Sequence, residues 1–187
     1  MTEFNEMQSL KRRFFAMRNG ALAEQMRRQG APYEIIFGLN ILQLVEIAAT
    51  IEPSREFAER LWANTTTRES LLLAPMIYPE GEMTEEPALE WAKSCRTAEV
   101  ADVLCHRLLR KLPFAAEIVE TLADSTVDME RYLSLRLLLN LIQRGQVADT
   151  REGRAAAEAE LARDCSLTRG VARQVLSEIS DGLGESD

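Results

Sequence analysis

Apolar residues in this chain recur at three- and four-residue intervals, and no stretch of useful length alternates with a period of two. A chain patterned this way cannot lay down half-buried strands. It must bury apolar stripes helix against helix, which makes it all-α. Prolines and capping residues then set the lengths. One helix is expected from about Glu3 through Arg28, kinked at Gly20 and stopped at Gly30 with Pro32 behind it. "FGLNILQLVEIAATI" supplies the next, with Asn40 as cap and Leu42, Val45, Ile47 and Ala49 available for packing. Ser54 caps "REFAERLWA", and Thr66 or Thr67 begins "RESLLLAPMI". Thr84 caps "EEPALEWAKS", whose first-turn Glu85 and Glu86 suit the positive end of the helix dipole. Thr97 caps the helix that carries Asp102, and Pro113 opens "FAAEIVETLA". Residues 127–144 form the most apolar helix, and two more follow.

About nine short helices result. They cannot all reach one centre, so stacked antiparallel pairs are expected: an α-solenoid of HEAT-like units, with a compact α-bundle as the alternative. Helix starts near 67, 98 and 127 recur roughly every 30 residues, below the ~40 of HEAT units. The reading is one domain over residues 1–180 without a linker, and a frayed tail over 181–187.

At 46 % hydrophobic and 28 % charged residues, the composition is that of a globular chain. No apolar run is long enough to span a membrane, and the N-terminus lacks the pattern of a signal peptide. Three cysteines, Cys95, Cys105 and Cys165, suit reduced thiols in a cytoplasmic compartment. The net charge of −8 argues against wrapping nucleic acid by bulk attraction. The charge is uneven, however. Residues 1–30 hold six basic side chains against three acids, and residues 31–95 hold eleven acids against four bases.

Known catalytic signatures are sparse. Gly30, Gly38 and Gly81 are isolated, so there is no phosphate loop, and no serine hydrolase motif occurs. Cys95 and Cys105 lack metal-site spacing, and neither metal nor cofactor is expected. Cys105 and His106 are adjacent and diverge around the helix. Asp102 and His106 are four residues apart and could touch. Such a pair is either an acid–imidazole couple titrating near neutrality or an exposed ion pair of ~0.3–0.5 kcal/mol. Trp62 and Trp91 sit among apolar neighbours and are expected in the core.

The order of several segments carries a resemblance. They are "MRNGALAEQMRRQGAPYEIIFGL", "LQLVEIAATI", "AERLWANTTTRESLLLAPMI", "MTEEPALEWAKSCRTAEVADVLCHRLL" and "MERYLSLRLLLNLI". Together they resemble the AlkD-like DNA alkylation repair family of HEAT-like repeat proteins, from about residue 10 to 180. The resemblance implies metal-independent excision of alkylated purines from duplex DNA. An aspartate would stabilise the cationic sugar, and aromatic side chains would contact it. Asp102 matches the catalytic aspartate, and Arg136 matches the phosphate-contacting arginine. Ala98 and Gln174 stand where tryptophans are expected.

Two functions of different class follow. One is a DNA-binding repair-family protein with weakened or lost glycosylase activity, or one that recognises damaged or structured DNA without cleavage. It would present Lys93, Arg96, Arg131 and Arg136 on one concave surface. The other is a non-enzymatic helical-repeat scaffold that binds a protein or peptide partner.

Overall fold

The computed structural model describes residues 3–147 and 149–184. Among them every regular element is helical, apart from one isolated bridge between Ile35 and Thr67. The chain gathers into two compact units, Met1–Pro79 and Glu80–Asp187.

The first unit holds α1 (Glu3–Ala16), α2 (Gly20–Arg28), α3 (Ile41–Ala48), α4 (Arg55–Ala63) and α5 (Arg68–Ile77). The single opening helix expected from Glu3 to Arg28 is two helices. Asn19 interrupts it: its side chain accepts from the Leu22 N–H and its own N–H donates to the Phe37 carbonyl, so it caps α2. Asn40 and Gln43 close a reciprocal capping box on α3, and Ser54 caps α4. The packing face of α3 includes Ile47 as expected but not Leu42. Leu44 and Ile47 are buried, whereas Leu42 is 74 % exposed. Helices α4 and α5 pack together, and α3 lies against α5.

A buried charge pair pins the 37–39 loop inside this unit. Arg68 and Glu69 are 2 % and 0 % exposed. The Glu69 carboxylate accepts from the N–H groups of Phe37, Gly38 and Leu39, and from the Arg68 guanidinium at 2.9 Å. Arg68 also donates to the Leu39 carbonyl. The Glu69 charge is thus met by backbone donors as well as by its partner, which is what makes a buried ion pair tolerable. Gly38 has φ +77°, and a Cβ there would lie 2.3 Å from the Asn19 carbonyl oxygen. Only glycine allows the loop to approach this closely.

The second unit holds α6 (Glu85–Ser94), α7 (Ala98–Arg107), α8 (Ala115–Ala123), α9 (Asp128–Ile142), α10 (Arg151–Ala162) and α11 (Arg169–Gly184). Helix α9 packs against both α7 and α11. Helix α8 lies against α9, and α10 lies against α11. Ten consecutive-to-near residues of α9, from Arg131 to Leu141, are buried, as its nearly all-round apolar sequence requires. Thr97 caps α7, whose Val100, Ala101, Leu104 and Leu108 are buried as their spacing predicts. Trp62 and Trp91 are core residues of their respective units. Helix α8 starts two residues beyond Pro113, with Phe114 at its N-cap. In the tail, α11 continues to Gly184 rather than ending at 180, and residues 185–187 lie outside the described residues.

Candidate functional site

Asp102 projects from α7 across the seam with α9. There Tyr132 and Arg136, one helical turn apart, present donors to it. The Tyr132 hydroxyl donates to Asp102 Oδ1 at 2.8 Å. Arg136 Nε lies 2.7 Å from Oδ1 as an ion pair without hydrogen-bond alignment, and its NH2 donates to Oδ2 at 3.4 Å. Arg136 also donates to the Tyr132 oxygen, and from NH1 to Gln174 Oε1 on α11. Three helices of the second unit therefore meet at one guanidinium.

The electrostatics follow from burial. Removal from water pushes the Tyr132 phenol up to about 12, and the adjacent Asp102 charge adds to that, so the hydroxyl remains a donor at neutral pH. At Arg136 burial works against the charged form. Hydrogen bonding to Tyr132 and the charges of Asp102 and Tyr132 prevail and hold its pKa above the ordinary value.

The Asp102–His106 contact that helical spacing allows is not the one formed. Asp102 turns to α9, and His106 Nε2 instead stands 3.2 Å from Arg110 NH2. Two donors across the seam hold a carboxylate better than one exposed imidazole on its own helix.

The other expected site residues divide. Lys93 and Arg96 are exposed at and just beyond the end of α6. Ala98 opens α7 one turn before Asp102. Arg131 is not a surface cation. It is 5 % exposed, and it donates to Glu160 Oε2 at 2.9 Å, to the Ser125 carbonyl and to Asp128. Thr168 completes the environment of Glu160. Arg131 lies on the side of α9 that faces α10, whereas Tyr132 and Arg136 face α7. The two arginines are five residues apart, which at about 100° per residue turns them roughly 140° from each other round the helix.

Tyr132 is the site partner that residue-by-residue reading misses, and Gln174, singled out there as a lost aromatic position, turns out to contact Arg136. The i,i+4 spacing of Tyr132 and Arg136 was the available signal. Among the described residues no cluster of three or more His, Cys, Asp or Glu side chains could hold a metal ion.

The family model for DNA alkylation repair enzymes matches residues 10–180. The chain belongs to the DNA alkylation repair enzyme family. Its fold is similar to a solved structure from "a new family of proteins related to the HEAT-like repeat DNA glycosylases with affinity for branched DNA structures". The TM-score is 0.76 at 17 % identity, covering 92 % of this chain and 74 % of that one. That likeness favours the HEAT-like expectation over the compact bundle. No curated protein matches the chain. Among the described residues no helix of this family member is long and apolar enough to cross a membrane.

In this member of the repair family, Arg136 sets the charge around Asp102. A fixed carboxylate stabilises a positive charge that develops beside it, and a neighbouring guanidinium offsets part of that field. Opposite unit charges 4 Å apart at an effective dielectric of 20 interact by roughly 4 kcal/mol. Arg136 thus competes directly with any cation for Asp102.

Proposed function

We propose that this repair-family protein binds DNA through the α7–α9–α11 face of its second unit, with alkylpurine excision weakened or lost. The observation that carries the reading is the closed Asp102–Arg136–Tyr132 cluster, with Gln174 beside it. The carboxylate is already matched by a cation. Ala98 and Gln174 supply no aromatic face at the two positions where the resemblance implies one. Each absent aromatic removes ~1–2 kcal/mol of cation–π stabilisation. Arg136, Arg96 and Lys93 remain as candidate phosphate contacts, and Arg131 is withdrawn from that set by its burial. The affinity for branched DNA named for the structural relative makes branched DNA the first ligand to try here. A cytoplasmic setting fits the free cysteines.

The test is fluorescence anisotropy with labelled duplex and four-way-junction DNA at several salt concentrations. Binding that weakens steeply with salt, and that falls in Arg136→Gln, supports the reading. Absence of binding to either DNA at low salt overturns it.

A second reading has one observation in its favour. A cavity of about 430 Å³ opens among α8, α9 and α10, where Leu135, Leu138 and Val119 stand beside Glu120, Asp124 and Glu152. An apolar site rimmed by acids suits a basic peptide, as the scaffold alternative requires.

A further inference from the structure

The α7–α9 seam carries a second group of side chains that the Asp102 cluster does not use. One turn beyond Asp102 on α7 is His106, and one turn beyond Arg136 on α9 is Asn140. Arg107 and Arg110 extend the α7 side, and Arg144 follows the end of α9. Arg110 NH2 approaches His106 Nε2 at 3.2 Å. Among the described residues no ion pair joins Arg107, Arg110 or Arg144 to a carboxylate. Arg144 spends its Nε on the neutral Gln146 amide oxygen. In a protein with a net charge of −8, an arginine group left without acids is unusual.

Two further observations suit an anion as the ligand of this group. Arg110 Nε and Asn140 Nδ2 are buried donors without a hydrogen-bond partner, and Asn140 is 94 % buried by its 6 % exposure. Unfilled buried donors are rare and call for a ligand, water or ion. The cations also press on one another. Burial and then the charges of Arg144 and Arg107 lower the Arg110 pKa. Burial and then the charges of Arg110, Arg107 and Lys111 lower that of His106, while the Asn140 amide, as an acceptor for the protonated ring, works in the opposite direction.

We propose that His106, Arg107, Arg110, Asn140 and Arg144 form a cradle for a phosphodiester of the DNA backbone, separate from the Arg136 contact. The proposal rests on the DNA-binding reading above. Guanidinium groups present planar forks that match phosphate oxygens, and an anion between them relieves their mutual repulsion. The cradle starts one helical turn, ~6 Å along α7, past Asp102. A strand that passes the Asp102 cluster and continues along the seam therefore reaches it.

The experiment uses the full chain and two readouts. The first is the salt dependence of duplex and junction binding for wild type, Arg110→Gln, Arg144→Gln and the double variant. The slope of log Kobs against log salt should shrink in the double variant by about 0.9, the value of one phosphate contact. DNA binding with an unchanged slope overturns the cradle and leaves the DNA-binding reading standing. The second readout is the NMR titration of His106, the only histidine, with a thymidine dinucleotide and separately with inorganic phosphate. The His106 pKa should rise with the dinucleotide, and Arg144→Gln, an exposed substitution, should reduce the rise. If DNA fails to bind but the dinucleotide still shifts His106, the function proposal falls and the cradle stands. A response to inorganic phosphate alone overturns the phosphodiester assignment, and no response to either overturns the site.

Discussion

Arg136 Nε stands 2.7 Å from Asp102 Oδ1, across the seam between α9 and α7. The aspartate that the family resemblance marks as catalytic is therefore matched by a cation before any substrate arrives. The pair is half in solvent, with side-chain exposures of 25 % and 38 %. Its worth to folding is thus modest, and its consequence is for charge at the site.

Asp102→Asn should leave the fold intact and bind DNA no more weakly than wild type. It removes an acid from the binding face and frees Arg136 for phosphate. An exposed pair is worth ~0.2–1 kcal/mol, so a gain of up to about fivefold is expected from anisotropy titration at fixed salt. A clear loss of affinity would mean that Asp102 organises the DNA contact.

Tyr132→Phe should cost about 1 kcal/mol in urea denaturation, the ordinary worth of one hydrogen bond. It should also change the alkaline limb of stability. The folded phenol titrates at about 12 against 10.0 for the free group. The folded state thus holds its proton longer. The stability this brings is fully present below pH 10 and is lost as pH rises from 10 through about 12. Burial lifts the Cys95 thiol to about 12 as well, so the informative quantity is the difference between wild type and Tyr132→Phe over that window.

Most of the fold was legible because local chemistry decides it. Asn40, Ser54 and Thr97 announce the starts of α3, α4 and α7, and the apolar run after Val127 announces the buried α9. The break in the first helix was legible at Gly20, where α2 starts, but as a kink in one helix and not as the capped start of a second. Asn19 caps α2 partly because Phe37 accepts its N–H, and that contact is made only on folding. The site divides the same way. Asp102 and Arg136 could be named from the sequence, but not their pairing, because α7 and α9 meet through tertiary packing. Arg131 and Arg136 look alike as residues of one helix, and only the positions of α7 and α10 assign one to the seam and the other to Glu160.

Glu69→Ala should be among the most damaging single changes. It removes one partner of the buried Arg68 and leaves the N–H groups of Phe37, Gly38 and Leu39 without their acceptor. Breaking a buried pair from one side costs about 3–5 kcal/mol. Glu59→Ala, which removes an exposed partner of Arg55, should cost under about 0.5 kcal/mol in the same denaturation series.

Thiol reagents should separate the three cysteines. Cys95 and Cys105 are buried, and burial raises both thiols, whereas Cys165 is partly exposed. One thiol should react promptly in the native protein and three only in denaturant. Prompt reaction of all three would contradict the packing of α6 and α7.

The central proposal is that Asp102, held by Arg136 and without tryptophans at positions 98 and 174, excises bases weakly or not at all. The most direct measurement is single-turnover release of N7-methylguanine from duplex DNA by wild type beside Asp102→Asn. The account predicts little or no release above the DNA-only control and no hundredfold difference between the two proteins. Release by wild type that falls at least a hundredfold in the variant, about 2.7 kcal/mol of transition-state stabilisation, would contradict it and make Asp102 a working catalytic carboxylate.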